Sequence, residues 1–204
     1  ARRGSLTNGV DNDHTMTDSD PASTRHTVFQ TSLMSALLDG VYDGDLTIGE
    51  LLTHGDFGLG TFDALDGEMV VMDGVCYQLR DGVARIATND QRTPFAIVTT
   101  FVPTFTGTLP KDSSREQVID AIGDVIKSEN YLSAIRIFGD FDWVRTRTAA
   151  RQSKPYPPLR AATRGEPVIQ FDDVTGTVAG FRTPPVRAGH RRPRRPRALP
   201  GREA

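Results

Sequence analysis

Two Asp-Gly pairs, at 73–74 and again at 81–82, set the tightest limit on how this chain can fold. Strand-forming residues flank them: Glu68-Met-Val-Val-Met72 and Val75-Cys-Tyr-Gln-Leu79 around the first, Val83 to Ile86 after the second. Asp-Gly suits the left-handed positions of a type I′ turn, whose twist matches that of the strands it joins. An antiparallel three-stranded meander is therefore expected from 68 to 86.

Other local signals agree with a folded α+β domain. Leu33, Met34, Leu37 and Leu38 share a helical face over 31–39, and Gly40 follows as a C′ stop. Thr47 and Glu50 have capping-box spacing ahead of Leu51 and Leu52, which predicts a second short helix ending before Gly55. Phe95 to Val102 is β-branched and aromatic and stops at Pro103, so it reads as a strand. Ser113 and Glu116 form a capping box before Val118, Ile119, Ile122, Val125 and Ile126, an apolar stripe expected to pack on the sheet. Tyr131 to Phe138 and Phe141 to Thr148 read as strands paired around Gly139-Asp140, and the proline-rich Lys154 to Leu159 as a loop. Val168 to Phe171 and Thr175 to Phe181 read as a further hairpin.

The ends differ from this body. Residues 187–204 hold arginines at 187, 191, 192, 194, 195, 197 and 202 against Glu203 alone, a local net of +6 on a chain whose net charge is −2. Such a stretch is either an arm for nucleic acid or an anionic surface, or sequence foreign to the fold. Residues 1–26 have few apolar side chains and no signal-peptide core, and the first methionine is Met16, which reads as the start of translation behind an upstream or disordered segment. No apolar run is long enough for a membrane helix. With Cys76 alone, neither an internal disulfide nor a thiolate metal cluster can form, which fits a reducing cytoplasm.

Candidate chemistry is sparse. His14, His26, His54 and His190 lack the spacing that aims two imidazoles at one metal, and His54, ahead of a glycine, reads as a helix-end dipole partner or a solvated side chain. The glycines at 55, 58 and 60 miss the dinucleotide-binding pattern, and Cys76 reads as a buried structural residue. Glu68 stands at a strand start just past Leu65-Asp66-Gly67, either as a carboxylate aimed at a cleft or as a solvated edge residue. Arg145 and Arg147 alternate with threonines on one strand face, where one could clamp a carboxylate or both could simply be solvated.

Several ordered motifs carry a resemblance: Val28 through Gly44, Gly55-Asp-Phe-Gly-Leu-Gly-Thr-Phe-Asp-Ala-Leu-Asp-Gly-Glu-Met69, Asp73-Gly74 with Tyr77-Gln78, Arg147 with Gln152, Lys154-Pro-Tyr-Pro-Pro-Leu159, and Gly176-Thr-Val-Ala-Gly-Phe-Arg-Thr-Pro184. Over about 27–185 the chain resembles the acetolactate decarboxylase family. The resemblance implies a carbon–carbon lyase that converts (S)-2-acetolactate to (R)-acetoin and CO2 on the route to 2,3-butanediol. It implies a cytoplasmic homodimer acting on a small molecule, with neither membrane nor nucleic acid as partner. A zinc ion would stabilise the enediolate formed as CO2 leaves. Glu68 is then the candidate proton donor, Arg147 the candidate substrate clamp with Arg145 as its register alternative, and Thr61 and Leu65 line the pocket.

The resemblance also sets out a departure. After a run like 181–184 the family continues into a second β domain bearing a His-x-His pair, a third histidine and a late glutamate, and this sequence shows no such pair. The expected fold is α+β: a mixed β-sheet domain over 27–160, half-open and barrel-like with packed helices, then at 161–186 the start of a second β domain that is cut short. The abrupt change near Val186 is read as a frameshift, deletion or misjoined frame, and the chain as inactive while zinc ligands are missing. The alternative is a non-catalytic remnant or binding module with an electrostatically binding basic tail. Reading the coding DNA past codon 186 tests the first idea, which fails if no frame encodes His-x-His.

Overall fold

A computed structural model describes residues 27–126 and 130–184. The expectations for 1–26 and 187–204, including Met16, His14, His26 and His190, lie outside them. The described residues divide into two compact units, one of 27–104 with Arg136–Gly180 and the other of 105–126, 130–135 and 181–184.

The first unit is built on a six-stranded sheet in the order β1-β8-β3-β4-β5-β6. Its strands are β1 (Val28–Gln30), β3 (Phe57–Thr61), β4 (Glu68–Met72), β5 (Val75–Arg80), β6 (Val83–Ile86) and β8 (Phe95–Thr99). The meander forms as expected: Met72 pairs with Val75 and Arg80 with Val83 across the two Asp-Gly turns. Asp73, Gly74, Asp81 and Gly82 all have positive φ, between 51° and 77°, as a type I′ turn requires. Every pairing described in this sheet is antiparallel, so the expected mixed sheet is corrected. The links from β3 through β6 are too short for the crossover that parallel neighbours need. The sheet does not close into a barrel, and β1 and β6 stand at its edges.

β3 carries no strand signal in the sequence because glycines fill it. A side chain at Gly60 would meet the Phe95 carbonyl of β8 at 2.5 Å, so glycine is what lets the two strands pair. Two short strands, β2 (Leu46–Thr47) and β7 (Arg92–Thr93), form a separate antiparallel pair.

Helix α1 (Met34–Leu38) ends in a Schellman motif: the Gly40 N–H donates to the Leu37 carbonyl at 3.2 Å and that of Val41 to Ala36 at 3.0 Å, with Gly40 at φ +96°. Helix α2 (Ile48–Leu51) starts on the expected Thr47–Glu50 capping box. It buries Ile48 and Leu51 against Phe62, Met69, Val71, Cys76, Ala96 and Val98, one face of the sheet. A second buried cluster joins Leu37, Tyr42, Leu65, Phe95 and Ala149.

The first unit also holds most of β9 (Ser133–Arg147), the short α4 (Leu159–Ala162) and most of β10 (Val168–Arg182). β9 and β10 pair as a two-stranded ribbon, which corrects the two hairpins expected here. Gly139-Asp140 reverses the order that favours a type I′ turn, and Gly139 keeps a strand conformation, so the chain runs straight through.

In the second unit α3 (Arg115–Val125) forms with its cap one residue later than expected, on Ser114 and Gln117. Ser113 instead donates to the Pro110 carbonyl at 2.6 Å. None of the side chains of this helix is buried. Ile119 and Val125 are exposed, and no described residue of this unit belongs to either buried cluster. No helix among the described residues is long and apolar enough to cross a membrane.

Candidate functional site

Between β3 and β4 the chain turns through a tight corner that sets Glu68 in place. Thr61 ends β3 and stands opposite Glu68, which opens β4. Between them a 3-10 turn, Asp63–Leu65, contains two consecutive left-handed residues, Ala64 at φ 58° and Leu65 at φ 56°, and Gly67 follows at φ 94°. Non-glycine residues in this region cost about 1–3 kcal/mol each and persist only where the surroundings hold them.

Here they are held from several sides. The Ala64 N–H donates to the Tyr42 carbonyl at 2.9 Å, and the Gln152 N–H donates to the Ala64 carbonyl at 2.7 Å. The Thr61 hydroxyl donates to the Gly67 carbonyl at 2.9 Å, and the Thr93 hydroxyl donates to the Thr61 carbonyl at 2.7 Å. The Gly44 N–H donates to the Asp63 carboxylate. Asp66 is paired with Arg80 at 2.6 Å.

Glu68 is half-buried, and its Oε1 accepts a long hydrogen bond, 3.4 Å, from the Ala149 N–H. Burial pushes its carboxyl above the ordinary range, the Ala149 amide pulls it partly back, and the Glu166 carboxylate raises it further. A carboxyl held up in this way keeps a proton closer to neutrality than a solvated one does. Thr61 and Leu65 are both buried, the former with its hydroxyl committed to Gly67, the latter in the cluster around Tyr42.

The two candidate arginines of β9, Arg145 and Arg147, are both exposed. Arg145 is engaged: its Nε donates to Gln170 at 2.8 Å and its guanidinium lies 4.9 Å from the centre of the Trp143 ring. Among the described residues, Arg147 makes no hydrogen bond or ion pair. It sits two residues before Ala149, whose amide meets Glu68.

Other sequence candidates fall elsewhere. His54 ends a 3-10 turn and stacks on Phe29 with ring centres 3.7 Å apart. Cys76 is buried, and burial pushes its thiol up to about 12, the inert structural cysteine expected. Among the described residues no three His, Cys, Asp or Glu side chains come together as a metal cradle. Sequence reading passed over Asp43, which accepts from Lys154 Nζ at 2.6 Å and from the Tyr156 hydroxyl at 3.0 Å. The Tyr42 hydroxyl meets the same loop, donating to the Pro157 carbonyl at 2.8 Å. These partners lie more than a hundred residues apart, 111 for Asp43 and Lys154, so no local spacing announces them.

Comparison with known proteins gives the family. The family model for alpha-acetolactate decarboxylase matches residues 28–193. The chain is 50% identical over 158 residues to the alpha-acetolactate decarboxylase of Klebsiella aerogenes, covering 77% of this chain and 61% of that protein. It is 46% identical over 165 residues to that of Methylococcus capsulatus, covering 80% and 64%. It therefore spans a little over three-fifths of the length of these relatives. The crystal structure of the Bacillus subtilis strain 168 enzyme superposes with a TM-score of 0.75 at 45% identity, over 78% of this chain and 68% of that one. A Staphylococcus aureus protein described as similar to alpha-acetolactate decarboxylase gives a TM-score of 0.74 at 32% identity, over 77% and 68%.

Proposed function

This chain belongs to the alpha-acetolactate decarboxylase family, and from that premise we propose that its Glu68 corner is the proton-delivering part of a site that turns (S)-2-acetolactate into (R)-acetoin and CO2. The observation that carries this reading is the half-buried Glu68 carboxyl, raised by burial and fixed at a strand start by a strained, many-sided corner.

The reaction needs such a group. In 2-acetolactate the bond to the carboxylate carbon breaks, CO2 departs, and the electron pair moves into the neighbouring carbonyl to give an enediolate. One proton must then arrive at carbon, on one face, to give acetoin. Glu68, protonated more readily than a solvated glutamate, can supply that proton and recover it from water. Arg147, with donors unclaimed among the described residues, is the better candidate for holding the substrate carboxylate, since Arg145 is bound to Gln170. Leu65 and Thr61 contribute the apolar wall and the rigidity behind it.

The zinc ion belongs to this proposal as the group that would stabilise the enediolate charge. The described residues do not fit it, so its ligands would lie outside them, and no step above is routed through it. The homodimer, the cytoplasmic setting and the reading of 161–186 as the start of a further β domain are parts of the same proposal.

The test is acetoin formation from racemic acetolactate by the purified chain, with added zinc and with chelator as control, alongside calorimetric binding of acetolactate and acetoin. We expect ligand binding, weakened by Arg147→Met and not by Arg145→Met, with little or no turnover while the chain lacks a His-x-His pair. Where zinc-dependent turnover is seen, Glu68→Gln should lower it by roughly 10²–10⁴-fold. Binding without turnover would favour a binding module. A folded chain that neither binds nor reacts would overturn the proposal.

A further inference from the structure

The proline-rich Lys154 to Leu159 motif has a place in the fold but none in the chemistry above. Between the end of β9 at Arg147 and α4 at Leu159 the chain has no strand or helix. It is tied to the first unit by bonds that converge on two neighbouring residues. The buried Tyr42 donates its hydroxyl to the Pro157 carbonyl and accepts at its own carbonyl from Ala64 of the strained corner. Asp43 accepts from Lys154 and from Tyr156, and Lys154 Nζ also lies 5.5 Å from the centre of the Tyr156 ring. The same segment reaches the corner again where the Gln152 N–H meets the Ala64 carbonyl and the Ala149 N–H meets Glu68.

We infer that Asp43 and Lys154 are positioning residues, a clamp that fixes the 149–157 segment so that the Ala149 amide stays on the Glu68 carboxylate. The functional meaning of the clamp rests on Glu68 being the acid; the clamp itself does not. Both clamp side chains are exposed, and exposed ion pairs stabilise a fold little. A bidentate use of Asp43, by an ammonium and a phenol of one short loop, fixes position instead. Both donors hold the Asp43 carboxyl below the ordinary range, so the clamp is charged at neutral pH. A hydrogen bond to the ionised form of a carboxyl favours that form. Releasing the segment should therefore let Glu68 hold its proton to higher pH, under burial and the field of Glu166.

The experiment follows the Glu68 side-chain carboxyl by carbon-13 NMR titration, assigned by its loss in Glu68→Gln, with amide exchange at Ala149 and Gln152. In Asp43→Asn and in Lys154→Met the Glu68 midpoint should rise, by up to about one unit, and both amides should exchange faster. The double variant should shift it no further than either single one, and Lys154→Arg should restore it. Tyr156→Phe, which removes one donor and leaves the ion pair, should give a smaller rise and serves if a stronger variant does not fold. An unchanged midpoint with unchanged exchange in folded variants would overturn the clamp. No substrate enters these measurements, so loss of the decarboxylase reading and loss of the clamp are told apart.

Discussion

The Glu68 corner and the β9–β10 ribbon each carry a charged candidate for the proposed site, and they hold it in opposite ways. At the corner, a half-buried carboxyl is fixed by left-handed residues, a buried core and bonds from segments distant in sequence. On the ribbon, Arg145 and Arg147 stand exposed, Arg145 against Trp143, which is 54% exposed, and Phe138 farther along β9 is 74% exposed. Chemistry that depends on a shifted proton affinity needs the first environment. A charge that meets a substrate anion works in the second, where a long side chain can adapt.

Substitution should break this contrast most visibly in the core. Met69→Ala beneath the corner should cost about 2–5 kcal/mol in urea unfolding, whereas Phe138→Ala on the ribbon should stay within about 0.5 kcal/mol. Equal costs would mean that the ribbon is packed as tightly as the corner. A sharper comparison uses two glycines. Gly74 sits at φ 77° with open space around it, so Gly74→Ala should cost about 1–2 kcal/mol through backbone conformation alone. Gly139, extended and equally open, should accept alanine with no loss or a gain of about 0.5–1 kcal/mol.

Proton linkage should give a smaller effect. Because Glu68 is raised in the fold, its contribution is fully present below the ordinary glutamate range. That contribution is lost as pH rises through the elevated value. Stability of the wild type should fall across that window, and Glu68→Gln should flatten the fall. An identical slope in both would show that Glu68 is solvated. The smallest effect belongs to the bond between the two regions, Arg136 of β9 on the Asp73 carboxylate of the meander turn at 2.7 Å and 2.9 Å. The guanidinium holds Asp73 low, so its contribution is present above the ordinary aspartate range and disappears as pH falls through the lowered value. Asp73→Asn keeps the turn and should lose a little stability that added salt also removes.

Legibility in the sequence followed the range of the interactions. The Asp-Gly turns, the Thr47–Glu50 cap and the Gly40 stop are decided within a few residues, and each formed as expected. β3 was invisible because its glycines answer to β8, thirty-odd residues on. The ribbon differs from the two hairpins expected because Gly139-Asp140 resembles a turn in sequence while its backbone is extended. In the site, Glu68 could be singled out by its place after a turn, but Asp43, Gln152 and Ala149 could not. Their roles exist only once distant segments meet.

Cys76 offers a gauge of the sheet that carries all this. Its thiol is buried on β5 among the side chains that α2 covers, and its high proton affinity leaves almost no thiolate in the closed form. An alkylating reagent can therefore reach it only when β4 and β5 separate from α2. The labelling rate, read against that of the unfolded chain, converts one sulfur atom into a clock for the opening of the core.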